Sequence, residues 1–227
     1  MPDDSVSQGM TVSPRCAGKE SVKKLRGQLF VIAAPSGAGK TSLVRALMQH
    51  RPDLRFSISY TTRPQRPNEV DKRDYFFVDE RTFEQMAATG KFLEHARVFD
   101  HHYGTSKAQV EALLEQGENV LLEIDWQGAQ QIRRAMPTCH SIFILPPSRE
   151  ALEQRLRGRQ SDSDEVIARR LRDSIGDMSH WAEFDAVVIN DDFGQATSDL
   201  AAIVAGETRR FSRQRPELRP LLDRLLS

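Results

Sequence analysis

A lysine and a threonine standing together at the end of a glycine-bearing turn have a definite chemistry open to them. In Ala34-Pro35-Ser36-Gly37-Ala38-Gly39-Lys40-Thr41, the glycines let the backbone curl until successive N–H groups point inward and can hold phosphate oxygens. Lys40 then reaches the β and γ phosphates, and Thr41 offers its hydroxyl to Mg²⁺. A second cationic group lies in Thr62-Arg63-Pro64-Gln65-Arg66-Pro67-Asn68-Glu69. Guanidinium forks match phosphate oxygens, and the prolines reduce the entropy lost when a ligand orders the loop. A third group flanks the polar break Gly158-Arg159-Gln160-Ser161-Asp162-Ser163-Asp164, with Arg155 and Arg157 before it and Arg169, Arg170 and Arg172 after it. Arginine runs are often only wet helix faces. Beside a phosphate loop, arginines around a hinge fit closure over polyphosphate with exclusion of water. The segment Glu123-Ile124-Asp125 ends an apolar run in two acids. Asp125 can orient Mg²⁺ or its waters beside Thr41, and it can equally cap a helix starting at Trp126. His101 and His102 have no third ligand at sensible spacing, so they are not read as a metal site.

These side chains need rigid elements to place them. Leu29-Phe30-Val31-Ile32-Ala33 reads as a buried strand feeding the glycine turn, and Leu43, Val44, Leu47 and Met48 recur at helical spacing behind it. The helix N-terminus adds about half a positive charge at the phosphate position. Further core strands are expected at Asn119–Asp125, Ser141–Leu145 and Ala186–Asn190, and an alternating strand at Phe56–Thr61. Tyr75–Val78 reads as a short strand, after which Asp79 caps a helix that Gly90 stops. Phe92–Phe99 reads as extended, Asp100–Thr105 as a turn, and Ser106–Gln116 as a helix. Core strands alternating with helical stretches predict an α/β fold: a parallel sheet with helices on both faces. The tail from Gly206 to Ser227 carries six arginines against three acids and is read as a packed terminal helix.

The chain has 227 residues, 39% hydrophobic and 28% charged, enough for a substantial core in one or two domains. Lys plus Arg and Asp plus Glu both number 32, so no global charge draws the chain to nucleic acid or an anionic membrane. No apolar run approaches the ~20 residues of a membrane helix. The first stretch, to residue 27, is polar, lacks a secretory core and reads as a disordered leader, with Met10 as an alternative start. Cys16 and Cys139 form neither a metal spacing nor an evident disulfide, and a reducing cytoplasm fits them best.

Taken together, Ala34–Thr41, Ser59-Tyr60-Thr61-Thr62-Arg63-Pro64-Gln65-Arg66, Asp74-Tyr75, Phe92-Leu93-Glu94, Tyr103-Gly104-Thr105, Ile124-Asp125-Trp126-Gln127-Gly128 and Arg155-Leu156-Arg157-Gly158-Arg159 resemble guanylate kinases, closest to the bacterial type. The resemblance implies a P-loop three-layer fold with a parallel core sheet (28–58, 107–147 and 173–227), a small mixed-β GMP-binding insertion (59–106) and a helical lid (148–172). It implies transfer of the γ-phosphoryl group of ATP to GMP or dGMP, with Mg²⁺. By similarity Arg63, Arg66, Tyr75 and Tyr103 hold the GMP phosphate, while Ser59, Glu94 and Thr105 bind guanine. Glu69, Glu123 and Asp125 complete the GMP side. Residues 34–42, from Ala34 to Ser42, hold ATP phosphates, with Asn190 near the adenine. Arg155, Arg159 and Arg170 neutralise the transferring group, alongside Lys40 and Arg63. An ionised Glu94 accepts from guanine N1–H and the 2-amino group, whereas adenine would leave it partly unpaired. Two positions depart from the family pattern: Glu123 stands where Asp is usual, and Gln160 replaces the Gly that commonly follows the lid's Arg-Gly-Arg. A non-catalytic binding module of the same fold and a kinase for another acceptor are the rival readings; homo-oligomerisation is left open.

Overall fold

The computed structural model describes residues 25–98, 100–158 and 163–227. Most of the expected leader lies outside these residues, as do Cys16, Arg159 and Gln160. Gly27, placed at the end of that leader, belongs to the fold: its N–H donates to the Leu114 carbonyl at 2.9 Å.

The chain begins with β1 (Leu29–Ala33), whose five residues are all buried. Alternation sends Leu29, Val31 and Ala33 to one face and Phe30 and Ile32 to the other, each into a different hydrophobic cluster. A strand buried on both faces belongs in the middle of a parallel sheet. After α1 (Lys40–His50) and β2 (Leu54–Phe56), the chain leaves this sheet to build β3 (Tyr60–Thr61), β4 (Phe76–Phe77), α2 (Glu80–Ala88), β5 (Phe92–Val98) and β6 (His101–Ser106). It returns through α3 (Lys107–Glu115) to β7 (Asn119–Glu123), then α4 (Trp126–Ala135), β8 (His140–Leu145), α5 (Arg149–Arg157), α6 (Asp164–Ser179), β9 (Ala186–Ile189), α7 (Phe193–Val204) and the terminal α8 (Arg219–Leu226).

The large sheet has the order β2-β7-β1-β8-β9 with every pairing parallel. Helices α1 and α7 cover one face through Leu43, Val44, Leu47, Leu200 and Ile203. The other face is covered by α3, α4 and α8 through Val110, Leu114, Ile132, Leu221, Leu222 and Leu225. The second sheet, β4-β3-β6-β5, is mixed: β3 runs parallel to β4 and antiparallel to β6, which is antiparallel to β5. Side-chain caps start the helices where the sequence places them: Asp79 accepts from Thr82 N, Ser106 from Gln109 N, Asp125 from Gly128 N and Ser148 from Ala151 N. Gly90, at φ 65°, ends α2.

Two expectations are corrected. The alternating stretch Phe56–Thr61 is not one strand. Phe56 ends β2 in the parallel sheet and Tyr60 opens β3 in the other. Ser57 N still donates to Leu121 O while the Ser59 carbonyl already accepts from Phe76 N, so the chain changes partners within three residues. Period-2 patterning persists through such a switch and does not reveal it. The expected turn at Asp100–Thr105 is mostly β6, because neighbours on both sides, β3 and β5, supply a ladder that its histidine-rich sequence does not announce.

Candidate active site

The carboxyl ends of the parallel strands converge on one edge, the edge at which open α/β sheets bind ligands. β1 delivers the glycine turn there, β7 delivers Glu123 to Asp125, and β9 delivers Asn190. Gly37 and Gly39 have φ of 87° and 91°, conformations that L side chains resist. A Cβ on Gly39 would also lie 2.5 Å from Asn190 Nδ2. Ala34, standing where the strict loop pattern has glycine, is not among the positive-φ positions, so its methyl introduces no backbone strain.

The loop is braced from behind. Asn190 is buried, and its Nδ2 donates to the Ala38 carbonyl at 2.7 Å. Arg155 Nη2 donates to the Asn190 carbonyl at 2.8 Å, and Ser174 Oγ on α6 to the Ser36 carbonyl at 3.1 Å. In front, Lys40 Nζ donates to the Ile124 carbonyl at 2.6 Å and Thr41 Oγ1 to Glu123 Oε1 at 2.5 Å. Glu123, the position that departs from the usual Asp, is thus the acid beside Thr41. Asp125 is the cap of α4, with Oδ1 accepting from Gly128 N at 2.8 Å and Oδ2 from Gln127 Nε2 at 3.1 Å.

Across the cleft, β5 and β6 carry Glu94 and Thr105 as register partners. Glu94 is 3% exposed, and Thr105 Oγ1 donates to its Oε1 at 2.6 Å. Burial pushes the Glu94 carboxyl up to about 7; the Thr105 hydrogen bond opposes this, Asp125 adds to it, and Lys40 opposes it. The phosphate loop and the inserted sheet therefore meet electrostatically at this group.

The loop between β3 and β4 carries a cationic corner. Arg63 Nη2 donates to Glu69 Oε1 at 2.7 Å, and the Glu69 Oε2 accepts from Arg66 N at 2.9 Å. Burial disfavours the Glu69 charge, but Arg63 and the Arg66 N–H outweigh it and hold the carboxyl below its usual range. The Arg63 guanidinium lies 5.5 Å from the Tyr75 ring centre, and Tyr75 meets Tyr103 edge-on at 6.0 Å. Burial raises the Tyr75 hydroxyl to about 12, with the Glu123 charge adding to the rise. Tyr75 therefore stays a neutral donor near pH 7. The Arg66 side chain is mostly exposed, as are Thr41 and Ser42. Ser59 lies in the link between β2 and β3. Arg170 is half-buried on α6.

Sequence reasoning missed Asp177, which accepts from Trp126 Nε1 at 3.0 Å. Burial pushes its carboxyl up to about 6, with Asp125 and Asp173 adding to the rise while Lys40 opposes it. Ser174, the brace on Ser36, was missed as well. Neither carries a local signal, since each is one polar residue on a helix already rich in them. Of the two histidines, His102 stacks on Phe83 with ring centres 5.3 Å apart, and its backbone N–H donates to Thr62 Oγ1.

A parallel sheet whose central strand runs into a Gly-Lys-Thr loop, an inserted sheet facing that loop with a buried acid and an arginine corner, and two arginine-bearing helices beside it define a P-loop kinase with a separate acceptor pocket. The family model for guanylate kinase matches residues 26–207. The chain belongs to the guanylate kinase family and is a kinase. It is 58% identical over 201 residues to the guanylate kinase of Methylococcus capsulatus, covering 88% of this chain and 98% of that one. It is 55% identical over 202 residues to that of Nitrosococcus oceani, covering 89% and 100%. The crystal structure of guanylate kinase from Anaplasma phagocytophilum superposes with a TM-score of 0.69 at 31% identity, covering 88% of this chain and 95% of that one. No helix among the described residues is long and apolar enough to cross a membrane.

Proposed function

We infer that this chain transfers the γ-phosphoryl group of ATP to GMP, releasing GDP and ADP. The observation that carries the acceptor assignment is Glu94: a carboxyl 3% exposed, held by Thr105, within electrostatic reach of Lys40. A buried acid that ionises near neutrality is matched to a base presenting two donors on one edge, and guanine does so with N1–H and its 2-amino group. The Ser59 hydroxyl is available to donate to O6, whereas the Thr105 hydroxyl, whose one proton goes to Glu94 in the ligand-free chain, donates to O6 only by releasing that bond. Arg63 and Arg66, organised by Glu69, hold the GMP phosphate together with the hydroxyls of Tyr75 and Tyr103.

On the donor side, the loop N–H groups and Lys40 hold the ATP phosphates, and Asn190 serves them by fixing the Ala38 carbonyl. A GMP phosphate oxygen attacks the γ phosphorus as the bond to the β-phosphate oxygen breaks. Phosphoryl transfer asks for little covalent help, so positioning and charge dominate. Arg155 and Arg170 supply positive charge from the lid helices; Arg159, expected to act with them, lies outside the described residues.

The oxygens of Thr41 and Glu123, 2.5 Å apart at the start of α1, form a hard donor pair suited to Mg²⁺. Thr41 would ligate the ion, with Glu123 and Asp125 holding its waters. Held there, the ion would supply positive charge that offsets the charge of the ATP phosphates. A coupled ADP-release assay with GMP, dGMP, AMP and UMP as acceptors tests the reading. Turnover with GMP and dGMP far above AMP and UMP is expected; equal turnover with AMP contradicts the role given to Glu94, and silence with every acceptor contradicts catalysis.

A further inference from the structure

Gly128 is the third residue of α4, buried, and has no left-handed backbone to excuse it. Its N–H donates to Asp125 Oδ1 at 2.8 Å, a bond that alanine would make equally well. Glycine inside a helix is disfavoured relative to alanine, so neither conformation nor hydrogen bonding accounts for it. Space does. A Cβ at this position would lie 2.5 Å from Glu94 Oε2, 3.1 Å from Glu94 Cδ and 3.3 Å from Ile124 Cδ1.

A glutamate tip in solvent would swing aside at little cost. Glu94 has no such freedom: it is 3% exposed, and its Oε1 is held by Thr105 at 2.6 Å. Making room for a methyl means breaking that bond or moving the whole carboxylate away from α4. We propose that Gly128 is a specificity-determining positioning residue, whose missing side chain makes the floor on which the Glu94 carboxylate rests and so sets where the acceptor base is read. The proposal rests on Glu94 being the reader of guanine. Gly128 itself touches no reacting atom. It acts through Glu94, and its effect belongs to the acceptor and not to the donor.

The test is steady-state kinetics of Gly128→Ala with GMP, inosine monophosphate (which lacks the 2-amino group) and AMP, alongside Glu94→Gln, Glu94→Asp and the double variant Gly128→Ala/Glu94→Asp. For Gly128→Ala, KM for GMP should rise by tenfold or more, the preference for GMP over the other two should shrink, and KM for ATP should stay within twofold. The melting temperature should fall less than the kinetics imply, because the preference of alanine for the helix offsets part of the clash. Aspartate is one methylene shorter and leaves room for the methyl, so the double variant should lose much less than the product of the two single losses. If Gly128→Ala does not fold, the double variant should, by the same relief. Unchanged GMP kinetics in Gly128→Ala while Glu94→Gln loses selectivity would overturn the role of Gly128 alone. Unchanged selectivity in Glu94→Gln would overturn the reading of Glu94 and the proposal with it. Losses that multiply without coupling would also reject the proposal.

Discussion

Glu94 is held between two demands: burial favours its neutral form, and the ligand assigned to it needs the charged one. Its carboxyl sits at about 7 against an ordinary value of 4.5, so at neutral pH the free enzyme is a mixture of both forms. If the ionised form binds GMP, KM for GMP should rise about tenfold between pH 8 and pH 6, while KM for ATP stays flat. The GMP phosphate titrates in the same range, so the slope that disappears in Glu94→Gln is the part belonging to this residue. Stability runs the other way. A group whose folded value is raised contributes stability that is present below its unfolded value and is lost as pH rises through the folded one. Between pH 4.5 and 7 the ligand-free chain should lose up to about 3 kcal/mol through this group. Thermal melts at pH 5 and pH 8 should therefore show Glu94→Gln gaining on the parent chain at the higher pH. For Lys40, the expected effect is on chemistry alone: Lys40→Ala should reduce turnover by about a hundredfold or more, with the circular dichroism spectrum unchanged. Turnover near the parent's would remove Lys40 from the mechanism. Lys40, Thr41 and Arg63 could be read directly from the sequence because each sits in a short motif with its own phosphate chemistry. Asp177 and Ser174 could not, because their partners, Trp126 and the Ser36 carbonyl, are distant in the chain.

At the scale of elements, the strand-turn-helix around β1 and α1 is the most constrained piece of the molecule. Gly39→Ala would force a φ of 91° on a residue with a Cβ and drive that atom into Asn190. A loss of about 1–3 kcal/mol in denaturant unfolding, with a raised KM for ATP and little change in KM for GMP at saturating ATP, is the expected result. The strands β1, β7, β8 and β9 are legible because a strand buried on both faces writes itself as an unbroken apolar run. The inserted sheet is not. β3 and β4 have two residues each, and β6 reads His-His-Tyr-Gly-Thr-Ser. These segments are strands because their neighbours offer hydrogen bonds, and a pairing between residues some forty apart leaves no local pattern. The same applies to Asp125, where the sequence allowed a helix cap or an organiser of metal-bound water. The fold shows the cap, which leaves the second role compatible with it, and it brings another acid, Glu123, to Thr41.

Across the whole molecule, the two faces of the parallel sheet bury separate clusters, and the carboxyl edge carries the chemistry. The terminal helix α8 illustrates the separation. Leu221, Leu222 and Leu225 are buried on the face opposite α1 and α7, and the Leu225 carbonyl accepts from Arg149 Nε at 2.8 Å. The tail arginines also work inside the fold, with Arg213 donating to Phe184 O and Arg215 to Val187 O. Leu225→Ala should lower stability by about 2–5 kcal/mol and leave the preference for GMP over AMP intact; a changed preference would mean that the core and the acceptor pocket are coupled. The sequence by itself determined the fold class, the glycine loop behind β1 and the arginine loop, because apolar runs, glycine turns and short polar motifs encode local conformation and local chemistry, and its resemblance to guanylate kinases singled out Glu94. Only the tertiary structure decided which acid stands beside Thr41, which side chains brace the loop, how the inserted sheet pairs, and why Gly128 has no side chain. Those facts depend on contacts between segments far apart in the chain, and a contact of that kind is a property of packing that no single segment carries.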